Sequence, residues 1–364
     1  MLRSYCEINN LKEISELNSD MDFRKPEYRK QVFIDLFEFH TSFGIQPGLV
    51  YLYLPEISKR LSLDLEQRLW LAFLEGCTEN PCTAYQILVE FPKLPRTDRQ
   101  LNSFLYWHDE NWRTLQYDID TRYNKGHLVE QVVSYVDSLR GDSQEAWFME
   151  SASRDKKEWF DKVWNKAVKL YKFGRLTTWS YLEFVKIVSG FEFEFSSLKM
   201  TDIDGSKSHR NGLLKVLGRD DLECWKMLDN GIDRHDKTLC QELEIKGAEL
   251  LSELRERFKN KKWKNYIGNE TLESTLCTFK NCFRGRRYPN VYTDMSYDRI
   301  KKAEAVVPDV DFSIFWDIRR EKLPIKLLEE CNADRGGVLS EKQRLFQETG
   351  KFPIMGILKD YYKD

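Results

Sequence analysis

Apolar residues recur along most of this chain at intervals of three and four, the spacing that turns one face of a helix toward a core. "LDLEQRLWLAFLEGC" carries them at 65, 69, 71, 72, 73 and 74, which predicts a mostly buried helix starting near Ser62–Leu63. "DSQEAWFMESASRDKKEWFDKVWNKAVKLYKFG" holds Trp147, Trp159, Val163, Trp164, Val168 and Tyr171 at helical spacing, with Gly174 as the expected C-cap. "TWSYLEFVKIVSG" follows with a second glycine stop. In "DKTLCQELEIKGAELLSELRERFKN", Leu239, Leu243, Leu250, Leu251 and Leu254 share a face. In "NETLESTLCTFKNCF", Leu272, Leu276, Phe279 and Phe283 do the same behind Asn269 as N-cap. Alternation appears only in "FEFEFSSL", where Phe191, Phe193 and Phe195 suggest a short β element. The expected fold class is all-α, with at most a small β element.

Two polar, turn-rich segments interrupt the helical pattern, "KMTDIDGSKSHRNG" (199–212) and "GRRYPNVYTDMSYD" (285–298). No repeat or low-complexity tract is visible, and the weakest seam is "VDSLRGDSQE" at 136–145.

Composition adds that the chain folds: 364 residues, 41% hydrophobic and 13% aromatic, are enough for a substantial core. The net charge of -2 argues neither for nor against a nucleic-acid partner, so only local charge can. No apolar N-terminal signal is expected in "MLRSYCEINNLKEISELNSD", and runs such as "LVYLYLP" are too short to span a bilayer, so no membrane partner is expected. Among the eight cysteines, the C-x4-C pairs 77/82 and 277/282 lack histidines at zinc-finger spacing, and reduced cytosolic thiols are the expectation. Dinucleotide, P-loop, H-E-x-x-H and G-x-S-x-G motifs are absent. The five histidines stand isolated, so no metal site is expected from them.

Three segments mix charge and rings without amphipathic order. In "FLYWHDENWRTLQYDIDTRYNKG" (104–126), Trp107, Trp112, Tyr117 and Tyr123 interleave with Arg113, Arg122 and Lys125. Cations that meet phosphates and rings that stack on bases are what a nucleic-acid groove requires. The plain alternative is an irregular, tryptophan-pinned turn. In "HRNGLLKVLGRDDL" (209–222), His209, Arg210 and Asn211 precede a short apolar run, a position that suits an anion at a helix N-terminus. Arg219 beside Asp220 and Asp221 either assists there or forms a self-contained ion pair. From Arg255 to Arg287 there are ten Lys/Arg against three Glu. That run ends in Arg284, Arg286 and Arg287, followed by Tyr288 and Tyr292, and guanidinium forks suit phosphate or pyrophosphate. A solvated surface run explains "RERFKNKKWKN" better than it explains "RGRRYPNVY".

"LESTLCTFKNCFRGRRYPNVYTDMSYDRIKKAE", with "HRNGLLKVLGRDDL" and "NWRTLQYDIDTRYNKG", resembles the bacteriophage amino acid:DNA transferases, also called alpha-glutamyl/putrescinyl thymine pyrophosphorylases. The resemblance covers roughly residues 50–305. It implies a helical DNA-modifying region at 46–305 between an N-terminal extension (1–45) and a C-terminal helical extension (306–364). It also implies a step of thymidine hypermodification in the cytoplasm of the infected bacterial host. There 5-hydroxymethyluracil in DNA carries a pyrophosphate ester, and an amine joins its methylene carbon as pyrophosphate leaves. The amine would be glycine, glutamate or putrescine. A kinship with helical base-excision glycosylases is implied through "LWLAFLEGCTENPCTAYQIL", although the L-P-G-x-G hairpin signature is absent.

The chemistry assigns roles to these positions. Arg284, Arg286 and Arg287, assisted by Arg210 and Arg219, would meet charge developing on the departing oxygen, with Tyr288 and Tyr292 beside them. Asp294, ahead of Asp118, Asp120 and Asp220, would take the proton of the incoming amine, with Asp120 as the second catalytic carboxylate. Lys280 or Arg299 would hold an amino-acid carboxylate. Trp107, Trp112, Tyr117 and Tyr123 would stack the extruded base, and Arg113, Arg122, Lys125, His209 and Asn211 would contact DNA. Cys277 could add to the base ring, against the plainer reading of a buried thiol. A divalent metal could accompany pyrophosphate, but no ligand set compels one. The rival readings are a glycosylase-like enzyme, which would leave abasic DNA, and a non-catalytic DNA-binding protein, whose binding would fall steeply with salt.

Overall fold

A computed structural model describes residues 21–46, 49–118, 121–201, 207–223, 237–284, 287, 291–323 and 348–351. Among the described residues there are fourteen α-helices and no strand. The first five are α1 (Pro26–Phe43), α2 (Val50–Arg60), α3 (Leu65–Thr78), α4 (Pro81–Glu90) and α5 (Asp98–Asn111). Then come α6 (Leu128–Ser138), α7 (Gln144–Met149), α8 (Lys156–Ala167), α9 (Arg175–Ser189) and α10 (Ser208–Val216). The last four are α11 (Lys237–Arg257), α12 (Asn269–Cys282), α13 (Val291–Val306) and α14 (Ser313–Lys322). All-α is the architecture the periodicity predicted.

The chain divides into two units, each drawn from more than one stretch. The first is Met1–Leu49, Ser197–Tyr297 and Asp317–Asp364; the second is Val50–Ser196 and Asp298–Trp316. The seam considered at 136–145 falls inside the second unit. Gln144 ties it down there: its backbone N–H donates to Glu66 Oε2 at 3.0 Å and its amide to the Glu66 carbonyl at 2.8 Å.

Helix starts in the second unit follow side-chain capping. Asp64 and Gln67 form a reciprocal capping box on α3, as do Thr97 and Gln100 on α5. Asn80 caps α4 ahead of Pro81, which suits the first helical position because it has no N–H to lose. The long pattern from 142 to 174 is two helices rather than one, because Asp155 accepts from the Lys157 and Glu158 amides and starts α8 afresh. Gly174 is not a stop. It is extended (φ -80°, ψ -173°) and opens α9, whereas Gly190 does end α9, at φ 82°. The core gathers on α3 and α9: Phe73 stacks on Tyr135 at 4.4 Å, and the Tyr181 hydroxyl donates to the Tyr135 oxygen at 2.9 Å.

The expected β element is not a strand. Phe193 and Phe195 alternate into the core, against Trp159, Phe160 and Trp179, but no described chain pairs with their backbone as a sheet. Alternation reports burial, and a strand also needs a partner.

In the first unit, α10 and α12 cross closely, with α1 against them. Leu213, Leu214, Leu272, Leu276 and Phe279 are wholly buried, and Phe279 meets the Phe33 ring at 5.5 Å. Gly268, rather than Asn269, is the N-cap of α12, and its amide donates to Thr271 Oγ1 at 3.1 Å.

Candidate functional site

The α10–α12 crossing organises the first unit's chemistry. His209, Arg210 and Asn211 sit within the first turns of α10, not ahead of it, and all three are buried. They are thus part of the helix itself rather than of a segment that opens it. Arg210 reaches toward Cys240 of α11, donating to its sulfur at 3.5 Å. His209 Nδ1 lies 3.5 Å from Glu273 Oε1. Lys280, also buried, donates from Nζ to Ser208 Oγ at 2.9 Å. Two cationic side chains from the motif segments are thus held inside the unit, where low dielectric strengthens their field.

A second group lies at the start of α13. The Tyr292 hydroxyl shares a hydrogen bond with Thr278 Oγ1 at 2.8 Å, and its ring meets His40 edge-on at 6.1 Å. The Arg287 guanidinium carbon stands 5.8 Å from the Tyr292 ring centroid, within cation–π range. Burial pushes the Cys282 thiol up to about 12, against the pull of the same Arg287 charge. Asp294 is half-buried in the first turn of α13. Arg319 braces this turn from α14: nearly inaccessible, it donates from Nη1 to the Thr293 carbonyl at 2.9 Å and to Ser296 Oγ at 2.7 Å.

In the second unit the 104–126 segment forms the end of α5 and an irregular turn. Trp112 is 40% exposed, with the Arg113 guanidinium and the Lys125 ammonium each 5.5 Å from its ring centroid. Burial, together with Lys302, pulls the Lys125 ammonium below its usual range. Tyr123 is 46% exposed and its hydroxyl is fixed at 2.8 Å from Thr177 Oγ1, while Arg122 is exposed beside it. Rings held by cations at a surface, rather than sunk in the core, are the arrangement on which bases stack.

Behind this surface, Arg299 is ion-paired with Asp118 and donates to the Glu79 carbonyl at 3.0 Å. Glu75 lies next to them, wholly buried, with no hydrogen-bond partner for either carboxylate oxygen among the described residues. Burial pushes its carboxyl well above the usual range; Arg299 opposes this, while Glu79 and Asp118 add to it.

The amino acid:DNA transferase family profile matches residues 50–288, about two thirds of the chain. The chain belongs to that family. A serinyltransferase of Salmonella phage ViI is similar over 349 residues at 29% identity, spanning 92% of this chain and 84% of that protein. No solved structure matches. This transferase is therefore an enzyme whose partners are DNA and an amino acid. No described helix is long and apolar enough to cross a membrane.

In the transferase, the predicted positions separate into groups. Arg210, Lys280, Arg287, Tyr292, Asp294, His209 and Asn211 belong to the first unit. Arg284 does too and is exposed. Arg286, Tyr288 and Asp120 lie outside the described residues. Arg219 does not join the group: fully on the surface, it makes a two-pronged ion pair with Asp221 at 3.0 Å on each arm, the self-contained alternative. Arg299 belongs to the second unit, where it is ion-paired with Asp118. Trp107 packs on Phe91 at 5.6 Å, and the Tyr117 hydroxyl is buried without a hydrogen-bond partner among the described residues, so neither shares the exposure of Trp112 and Tyr123.

Sequence reasoning missed Glu75, Glu273 and Arg319. Glu75 sits on an apolar helix face, and that is a signal the sequence does carry. Arg319 stands in a C-terminal stretch with no motif of its own.

Proposed function

We propose that this transferase acts in thymidine hypermodification. Its substrate would be 5-hydroxymethyluracil in DNA that bears a pyrophosphate ester. The amine of an amino acid attacks the methylene carbon, the carbon–oxygen bond to the ester breaks, and pyrophosphate leaves with the electron pair. Serine is the favoured donor, from the name of the phage relative. The reaction belongs in the cytoplasm of the infected bacterial host.

The observation that carries this reading is the burial of Arg210 and Lys280 on the two motif helices of a chain in this family. Cations fixed inside a fold are already oriented toward the anionic groups of the substrates and act with little reorganisation, and Arg210 would assist at the departing oxygen. We assign Arg287 and Arg284, with Arg286, to the pyrophosphate, and Tyr292 and Tyr288 to its flank. Lys280 is assigned to the amino-acid carboxylate. Asp294 takes the ammonium proton, since an amine attacks only after losing it. Within the second unit, Trp112 and Tyr123 offer rings on which DNA bases stack, and Arg113, Arg122 and Lys125 the cations that meet phosphates.

The test offers serine, glycine, glutamate and putrescine in competition, with duplex DNA bearing the pyrophosphorylated base, and reads the digested nucleosides by mass spectrometry. A serine adduct supports the reading; an adduct of another amine corrects the donor; abasic DNA would replace the reading with a glycosylase.

A further inference from the structure

We propose that His209, Glu273 and Cys277 form a zinc site in the first unit. The ligand atoms of these three side chains all lie within 4.8 Å of one another. His209 and Glu273 are buried, and Cys277 is half-buried. Glu273 and Cys277 are one turn apart on the same face of α12, and His209 meets them from α10. The crossing that joins them is close, with Gly212 against the Leu276 backbone.

The spacing suits a shared ion. Zinc binds nitrogen, oxygen and sulfur at about 2.0–2.3 Å, so tetrahedral ligands stand roughly 3.3–3.8 Å apart. His209 Nδ1 and Glu273 Oε1 are 3.5 Å apart already. The donor set also selects the metal. Calcium and magnesium take oxygen ligands in larger number, whereas one imidazole, one carboxylate and one thiolate match zinc. Charge balances as well: a carboxylate and a thiolate neutralise a divalent ion where a bare charge would be costly.

Three protein ligands leave a fourth position open, the pattern of a reactive rather than a structural zinc. Cys277 is on the partly accessible side, so a substrate oxygen or water can approach there. Lys280 follows one turn later on α12. An ion at this point would act as a Lewis acid on an oxygen of the departing group. The sequence could not announce this site, because its ligands come from two distant segments and include a single histidine.

The test does not depend on the transfer reaction. Protein purified without a metal-binding tag is analysed for metal content, then stripped with chelator and titrated with cobalt(II). Equimolar zinc, and a thiolate-to-cobalt charge-transfer band that Cys277→Ser removes, are the expected results. Cys277→Ser is nearly isosteric, and its melting curve shows whether it folds; His209→Ala and Glu273→Gln should lower metal content further. Metal-free protein that takes up no cobalt, or a band unchanged in Cys277→Ser, would overturn the proposal and leave the transferase reading standing.

Discussion

A Cβ atom placed on Gly212 would stand 2.1 Å from the carbonyl oxygen of Leu276. That oxygen is backbone in the middle of α12 and cannot swing aside as a side chain would. The absence of a side chain at 212 therefore sets how closely α10 approaches α12, and with it the meeting of His209 with Glu273 and of Lys280 with Ser208. Gly212→Ala should push the helices apart, at roughly 1–3 kcal/mol or more. Urea unfolding should show the loss, and transfer activity should fall further than stability alone explains. A variant as stable and active as wild type would mean the crossing tolerates separation.

Trp112 and Lys125 separate two kinds of DNA contact. Trp112→Ala should weaken binding by about 1–3 kcal/mol for one stacked base and leave the salt dependence unchanged. Lys125→Ala should lower the slope of log K against log salt by about 1. Both side chains reach the surface, so thermal stability should move by no more than roughly 0.5 kcal/mol. Fluorescence titrations at several salt concentrations distinguish the two effects.

Arg287, set over Tyr292, is the described arginine best placed among those assigned to pyrophosphate. Arg287→Ala should reduce kcat by about 10²–10³ while DNA affinity changes little. Arg287→Lys should rescue poorly, since an ammonium lacks the planar fork. Unchanged turnover in Arg287→Ala would remove the residue from the reaction.

Asp35, on α1, gives a pH signature. Burial raises its carboxyl to about 6, although the Gln31 amide donates to it at 2.7 Å and Arg257 pulls the other way; Glu38 adds to the rise. The unfolded chain ionises this group near 3.8, so between there and about 6 the folded state alone keeps the proton. Its contribution to stability is intact below 3.8 and is lost as pH rises through about 6. Asp35→Asn should therefore gain on wild type across that window, by about 3 kcal/mol at neutral pH, and hold a constant advantage above it. Unfolding curves from pH 4 to 7 check the sign.

Periodicity made most of the helices legible, because apolar faces on α3, α9, α11 and α12 needed only a core to meet. It failed where a second condition applied. Phe193 and Phe195 alternate like a strand, but no strand among the described residues pairs with them. Gly174 reads the same whether a helix ends before it or starts after it. The site was partly legible, since Arg210, Lys280, Arg287 and Tyr292 carry unusual charge and rings in their own segments. The ion pair of Arg299 with Asp118 joins positions too far apart in sequence for either segment to show it. Glu273 looked like ordinary helix polarity, and only the approach of α10 gives it His209 as a neighbour.

The most direct measurement counts pyrophosphate and modified nucleoside in the same reaction, with serine and DNA carrying pyrophosphorylated 5-hydroxymethyluracil. The account predicts equal amounts of both, rising together with time and absent without the amino acid. Pyrophosphate formed without a nucleoside adduct, or an adduct formed without pyrophosphate, would contradict it.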